Sequence, residues 1–248
     1  MTQRVAVVTG ASSGIGAEVA RVLSRRGWHC VLLARRRDRL EATAGETGGE
    51  VEVCDVSDRD AVERAAAAVL ERHPAVHLLV NNAGIPGRAG FVSLDADRIE
   101  QLVRTNYLGG VWCLRAFLPG LVSGAPSDVV NVASVAGTVA IPQSGPYAAV
   151  KSAQLAFSRA TAAELRRRGI RVHAVNPGFV HTEGFPNLHR FRHPLWRRLV
   201  IRPERVAEHV ADVVGSGRVE TYVPAWYRGP AILQAVAPGA MARLLAGR

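Results

Sequence analysis

Lysine is almost absent from this chain. Of its 31 basic residues one is a lysine, Lys151, and the other 30 are arginines. Cysteine is also scarce. Cys30, Cys54 and Cys113 lie far apart and form no CxxC pair, which argues against a disulfide framework or a zinc site and for core thiols in a reducing compartment. No run of about 18 uncharged apolar residues occurs, so no bilayer-spanning helix is expected. The N-terminus enters an apolar strand without the build of a signal peptide, and cytoplasmic residence is the expectation. Acidic charge is in deficit, 21 residues against 31 basic ones, for a net charge of +10. Such an excess can serve nucleic acid, an anionic membrane or an acidic ligand. The arginines are scattered and no nucleic-acid module signature is present, so no nucleic-acid partner is expected.

What is present suits a globular enzyme. Apolar residues make up 48% and charged residues 21% of 248 positions, as in ordinary soluble domains. A chain this long buries roughly three quarters of its unfolded surface around one core. No composition break divides it, and residues 1–248 read as one domain. Short apolar β-branched runs at 4–9, 29–34, 51–54, 76–80, 128–133, 171–175 and 219–223 alternate with helix-like stretches. In the helix at 14–26, Ile15, Val19, Val22 and Leu23 share one face. Repeated strand–helix–strand units with wholly apolar strands imply an α/β fold, a Rossmann-type doubly wound sheet. It would be mostly parallel, about seven strands, with helices on both faces.

The first strand ends in Thr9-Gly10-Ala11-Ser12-Ser13-Gly14-Ile15-Gly16, and a helix follows at once. Three glycines at that turn let the backbone approach a pyrophosphate, and the helix N-terminus offers it free N–H groups. The spacing is GxxxGxG, not the GxGxxG fingerprint. The second strand ends at Ala34-Arg35-Arg36-Arg37. An acid at this point holds the ribose 2′-OH of NAD, whereas Arg accommodates the 2′-phosphate of NADP. No acid stands here, so NADP(H) is expected over NAD(H). Arg35 is favoured over Arg36 for the bidentate grip, and Ser12 and Ser13 can add hydroxyl contacts.

Tyr147 and Lys151 are four residues apart in the helix-like run 146–167, which puts both on one face. An unperturbed tyrosine has a pKa near 10, and a neighbouring ammonium lowers it. Thirteen residues earlier, just past a buried strand, stands Ser134, a hydroxyl able to hold a carbonyl oxygen. Pro146 directly precedes the tyrosine, and proline suits the first turn of a helix.

These motifs, in this order, resemble the short-chain dehydrogenase/reductases, from residue 4 to about residue 224. The match runs through the 9–16 loop, Asp55, Asn81-Asn82-Ala83-Gly84, Asn106, Ser134, Tyr147, Lys151, Pro177-Gly178 and Thr182. The resemblance implies that Tyr147 is the acid/base acting on the substrate oxygen. Lys151 would lower the Tyr147 pKa and bind the nicotinamide ribose, Ser134 would polarise the carbonyl, and Asn106 would hold a water that links Lys151 to solvent. Asp55, with Val56 beside it, would contact the adenine, and Asn82, Ala83 and Gly84 would line the cofactor's floor. Pro177, Gly178, Val180 and Thr182 would fix the carboxamide. A homodimer or homotetramer is a further implication.

Past Thr182 the sequence becomes unusual. Residues 189–205 hold six arginines, two histidines and one acid, with Leu188, Phe191, Leu195, Trp196 and Leu199 at near-helical spacing. The resemblance places a substrate lid at about 182–204. An amphipathic lid packed in the ordinary way, a lid meeting an anionic substrate, and peripheral membrane contact through 188–202 or the C-terminus all remain open. The apolar extension, about 225–248, is too short and broken to span a membrane. It could pack over the site, join subunits or lie on a membrane. Val135, Val139, Ile141, Phe179 and Phe185 make the expected pocket apolar. No metal site is expected.

The leading reading is an NADP(H)-dependent oxidoreductase that interconverts a carbonyl and an alcohol on a hydrophobic small molecule. Its alternatives are a reductase of β-ketoacyl thioesters and a non-catalytic NADPH-binding regulator.

Overall fold

In a computed structural model, residues 3–87, 90–182 and 200–245 are described. Seven strands form one sheet: β1 (Val5–Thr9), β2 (His29–Ala34), β3 (Glu50–Val53), β4 (Leu78–Asn81), β5 (Ser127–Val132), β6 (Ile170–Pro177) and β7 (Glu220–Val223). Their order is β3-β2-β1-β4-β5-β6-β7 and every pairing is parallel. All of β1, VAVVT, is buried, which is why it shows no polar alternation: a parallel sheet covered on both faces has no solvent side. Strand ends depart from expectation by at most two residues. β4 starts late because the Val76 N–H donates to Gly120 O, at the end of a helix. β6 runs on to Pro177 because Asn176 and Pro177 still pair with Tyr222 and Val223 of β7.

Nine helices are described: α1 (Gly14–Arg25), α2 (Arg37–Thr47), α3 (Arg59–Arg72), α4 (Ala96–Val103), α5 (Gly109–Ser123), α6 (Gly145–Leu165), α7 (Pro203–Val213), α8 (Arg228–Val236) and α9 (Pro238–Leu245). The two-residue period of the strands divides the core. Ala6 and Val8 of β1 join Val19, Val22 and Leu23 of α1 and Val206 and Val210 of α7 on one face. Val5 and Val7 join Val62 and Val69 of α3 and Phe117 and Leu121 of α5 on the other. Burying each such Val, Leu or Phe contributes about 1.5–3 kcal/mol. Ile15 is only partly buried, since it sits at the mouth of the crevice described below. No helix among the described residues is long and apolar enough to cross a membrane.

Two polar clusters sit in this frame. Asp128 of β5, 2% exposed, accepts from Arg171 Nε and Nη2, both at 2.8 Å, from His173 Nε2 at 2.8 Å and from the Gly215 N–H at 3.1 Å. His173 Nδ1 meets Arg218 O at 2.6 Å. Both ring nitrogens therefore face oxygens, one on the carboxylate and one on the backbone. Burial would raise the Asp128 pKa, but the Arg171 and His173 hydrogen bonds outweigh it and hold it at about 2. In the second cluster, His29 and His73 share one oxygen of Glu50 at 2.7 and 2.8 Å, and Arg72 takes the other at 3.1 Å.

The order of the sheet also locates a crevice. From β1 the chain winds outward to β2 and β3, and from β4 it winds the other way. Neighbouring loops therefore part at the C-terminal ends of β1 and β4, where doubly wound sheets bind ligands.

Candidate active site

A cavity of about 710 Å³ opens at this point. The 9–16 loop forms one wall. Gly10 has φ +68°, and a Cβ there would lie 2.9 Å from Ala83 Cα and Asn82 Nδ2. At Gly16 a Cβ would run into Gly10 O, so this glycine packs helix against loop and does not face the cavity. Thr9 welds the loop to the floor: its hydroxyl donates to Val80 O and accepts from the Asn82 and Ala83 N–H groups at 3.0 Å. The Asn106 side chain, in a π-turn at Arg104–Leu108, accepts from the Ile85 N–H at 2.7 Å and donates to Ile85 O at 2.9 Å. The side chain of Asn106 thus fixes the floor.

Every residue assigned to the site from the sequence lines this cavity except Gly16. The basic end differs from expectation. Arg36, not Arg35, reaches the glycine loop: its Nη2 donates to Ser12 Oγ at 3.1 Å and Ser13 Oγ at 2.7 Å. Arg35 turns to Asp55, with Nη1 3.6 Å from Oδ2. The carboxylate after β3 draws the first arginine aside and leaves the second beside the serines. The open, closely approached loop, the hydroxyls and the guanidinium together fit a phosphorylated dinucleotide.

At the other end stand Ser134, Tyr147 and Lys151. Tyr147 and Lys151 are brought onto one face by α6, whose first turn holds Pro146. Lys151 Nζ lies 5.9 Å from the Tyr147 ring centroid but donates elsewhere, to Val132 O at 3.1 Å and Gln154 Oε1 at 2.9 Å. The expected lowering of the Tyr147 pKa by Lys151 is not what this geometry produces. Burial raises the Tyr147 pKa, with the Ser134 hydroxyl opposing it. Burial also draws Lys151 down to about 8.

The short chain dehydrogenase family model matches residues 4–192. The chain belongs to the short-chain dehydrogenase family. It is an oxidoreductase acting on CH–OH and C=O groups. A Streptomyces coelicolor protein provisionally named a ketoacyl reductase is 35% identical over 236 residues, covering 86% of this chain and 90% of the relative. The bovine 3-oxoacyl-[acyl-carrier-protein] reductase is 34% identical, over 73% of this chain and 77% of its own length. Bovine dehydrogenase/reductase SDR family member 7B is 33% identical over 72% of this chain, which spans 58% of that relative. Among solved structures, an actinorhodin polyketide ketoreductase variant with NADPH superposes with a TM-score of 0.80 at 32% identity, over 88% of this chain and 94% of that one. A Thermococcus sibiricus alcohol dehydrogenase complexed with 5-hydroxy-NADP gives 0.77 at 31% identity, covering 89% and 95%. The Brucella melitensis 3-ketoacyl-(acyl-carrier-protein) reductase complexed with NADH gives 0.78 at 28%, covering 85% and 90%.

In this short-chain dehydrogenase the C-terminal arm packs over the site, one of the arrangements open from sequence. The Tyr227 ring lies against Gly178, where no Cβ would fit. Gln234 of α8 accepts from the Ala140 N–H at 3.2 Å, bracing the loop that carries Ile141, Pro142 and Gln143 into the cavity wall. Ile141 and Phe179 line the cavity as expected, together with Val135. Val139 is buried behind it, and Phe185 lies outside the described residues. So do the lid residues 183–199; the flanks meet where Ile201 bonds to Phe179 and His181. Gly87, Pro142 and Gln143 line the cavity without having been expected to. They stand in loops without periodicity, and the positive φ of Gln143, 61°, leaves no sequence signal.

Proposed function

We propose that the chain is an NADPH-dependent ketoreductase, with β-ketoacyl thioesters as the leading substrate class. The observation that carries this reading is one cavity with Arg36, Ser12 and Ser13 at one end and Ser134, Tyr147 and Lys151 at the other. When bound there, NADPH supplies the hydride and the protein supplies position, a proton and electrostatics. Arg36 grips the 2′-phosphate, which a carboxylate would repel. Ser134 orients the carbonyl oxygen. Tyr147, its pKa raised by burial, stays a phenol at neutral pH and gives its proton to that oxygen. Lys151 holds the ribose and keeps positive charge beside the tyrosine. The names of the relatives favour ketoacyl substrates, and the apolar wall of Ile141, Pro142 and Phe179 favours a lipophilic acyl chain or ketone.

The test compares NADPH with NADH oxidation across β-ketoacyl thioesters, lipophilic ketones and aldehydes. Turnover with NADPH, highest on the thioesters, is the expected result. Preference for NADH refutes the role of Arg36. NADPH binding without turnover on any of them makes the protein a regulator.

A further inference from the structure

The buried face of α6 carries a polar stripe beside Ala148, Val150, Leu155 and Leu165. Tyr147, Lys151, Gln154 and Ser158 follow at spacings of four, three and four, which stack on one side of a helix. Lys151 is 5% exposed, Gln154 4% and Ser158 0%. A helix face turned to a sheet is ordinarily apolar, so a polar stripe there calls for partners, and it has them. Asn81 Nδ2 of β4 donates to Asn131 Oδ1 of β5 at 2.9 Å, Asn131 Nδ2 to Ser158 Oγ at 2.9 Å, and Ser158 Oγ to the Gln154 backbone oxygen at 2.7 Å. The row ends on the lysine, whose Nζ donates to Gln154 Oε1 at 2.9 Å. An ammonium has no acceptor, so the amide must present its oxygen. Val132 O takes a second N–H, and one donor is left for the cavity.

We propose that Gln154 is a positioning residue for the reaction: its side-chain oxygen pins the Lys151 ammonium between α6 and β5, aiming the remaining N–H at the cofactor and substrate. The proposal rests on the reading of Lys151 given above. It explains how a cation is kept where none of the described carboxylates pairs with it. From the same helix the Tyr147 ring lies 5.9 Å from Lys151 Nζ, β5 offers only the Val132 carbonyl, and Ser134, in the turn after β5, lines the same cavity. Burial draws the lysine down to about 8, and an acceptor on the charged form opposes that fall.

The single lysine makes the test direct. The full chain carrying ¹³C at lysine Cε gives one lysine signal, and its shift against pH reads the protonation of Lys151. Gln154→Leu is expected to lower the midpoint by about one pH unit, an about tenfold weaker proton affinity. Gln154→Met, closer in shape, shifts it the same way and serves if the leucine variant does not fold. Gln154→Glu raises it, because a carboxylate favours the ammonium. An unchanged or raised midpoint in the apolar variants, or a lowered one in the glutamate variant, overturns the proposal. With turnover, kcat of the apolar variants falls most on the alkaline side while KM for substrate changes little. Full turnover by Tyr147→Phe would sink the reading of the site and leave this titration untouched, so the two failures are distinguishable.

Discussion

Replacing Asp128 by Asn keeps the side chain's shape and removes its charge. The carboxylate is buried at the centre of Arg171, His173 and the Gly215 N–H. Without it the half-buried Arg171 loses its counter-ion and the buried His173 the carboxylate it meets, and breaking such a pair costs about 3–5 kcal/mol. The pH dependence gives an independent magnitude. Asp128 falls from an ordinary 3.8 to about 2 in the folded chain, a gap worth about 2 kcal/mol. Because the folded value is the lower one, that stability is present above pH 3.8 and is lost as pH falls through about 2. In a domain of this length each kcal/mol moves Tm by about 2–4 °C. Thermal unfolding at pH 7 should therefore show Asp128→Asn melting about 6–20 °C below the parent, and the difference should narrow between pH 4 and pH 2. The turn from α7 to β7, which Asp128 holds through Gly215, should loosen with it. A variant melting within about 2 °C of the parent at pH 7 would refute the reasoning.

Arg36→Ala should raise KM for NADPH about 10- to 100-fold and leave NADH nearly unaffected, since it removes charge-assisted bonds to the 2′-phosphate alone; equal losses with both cofactors would contradict this. The three thiols are free and buried. Burial pushes Cys30 up to about 12, Cys54 up to about 11 and Cys113 higher still. A disulfide thiol reagent at pH 8 should therefore label none of them until urea unfolds the chain, and rapid labelling of the native protein would count against that burial.

The parallel sheet was legible because its strands carry their own signature. A run such as 5–9, apolar throughout, has one reading when helices flank it. The glycine loop was legible because turn, helix start and strand end are contiguous. Contacts between distant residues were not. His29, Glu50 and His73 come from two strands and a helix end, and Asp128, Arg171 and His173 meet only once β5 and β6 pair. The placing of Arg35 and Arg36 is hidden for the same reason: Asp55, twenty positions on, pairs with the first, and the second meets the serines. The stripe from Tyr147 to Ser158 could have been found, since its spacing is helical. It lay hidden because polar residues on a helix are read as the solvent side until the sheet shows which face is covered.

The account stands most directly on Tyr147. The Tyr147→Phe protein should be titrated with NADPH and then assayed for NADPH oxidation with a β-ketoacyl thioester. The account predicts NADPH affinity close to the parent's and turnover lower by at least about 10²-fold, the worth of a positioned proton donor. Turnover near the parent's would contradict it.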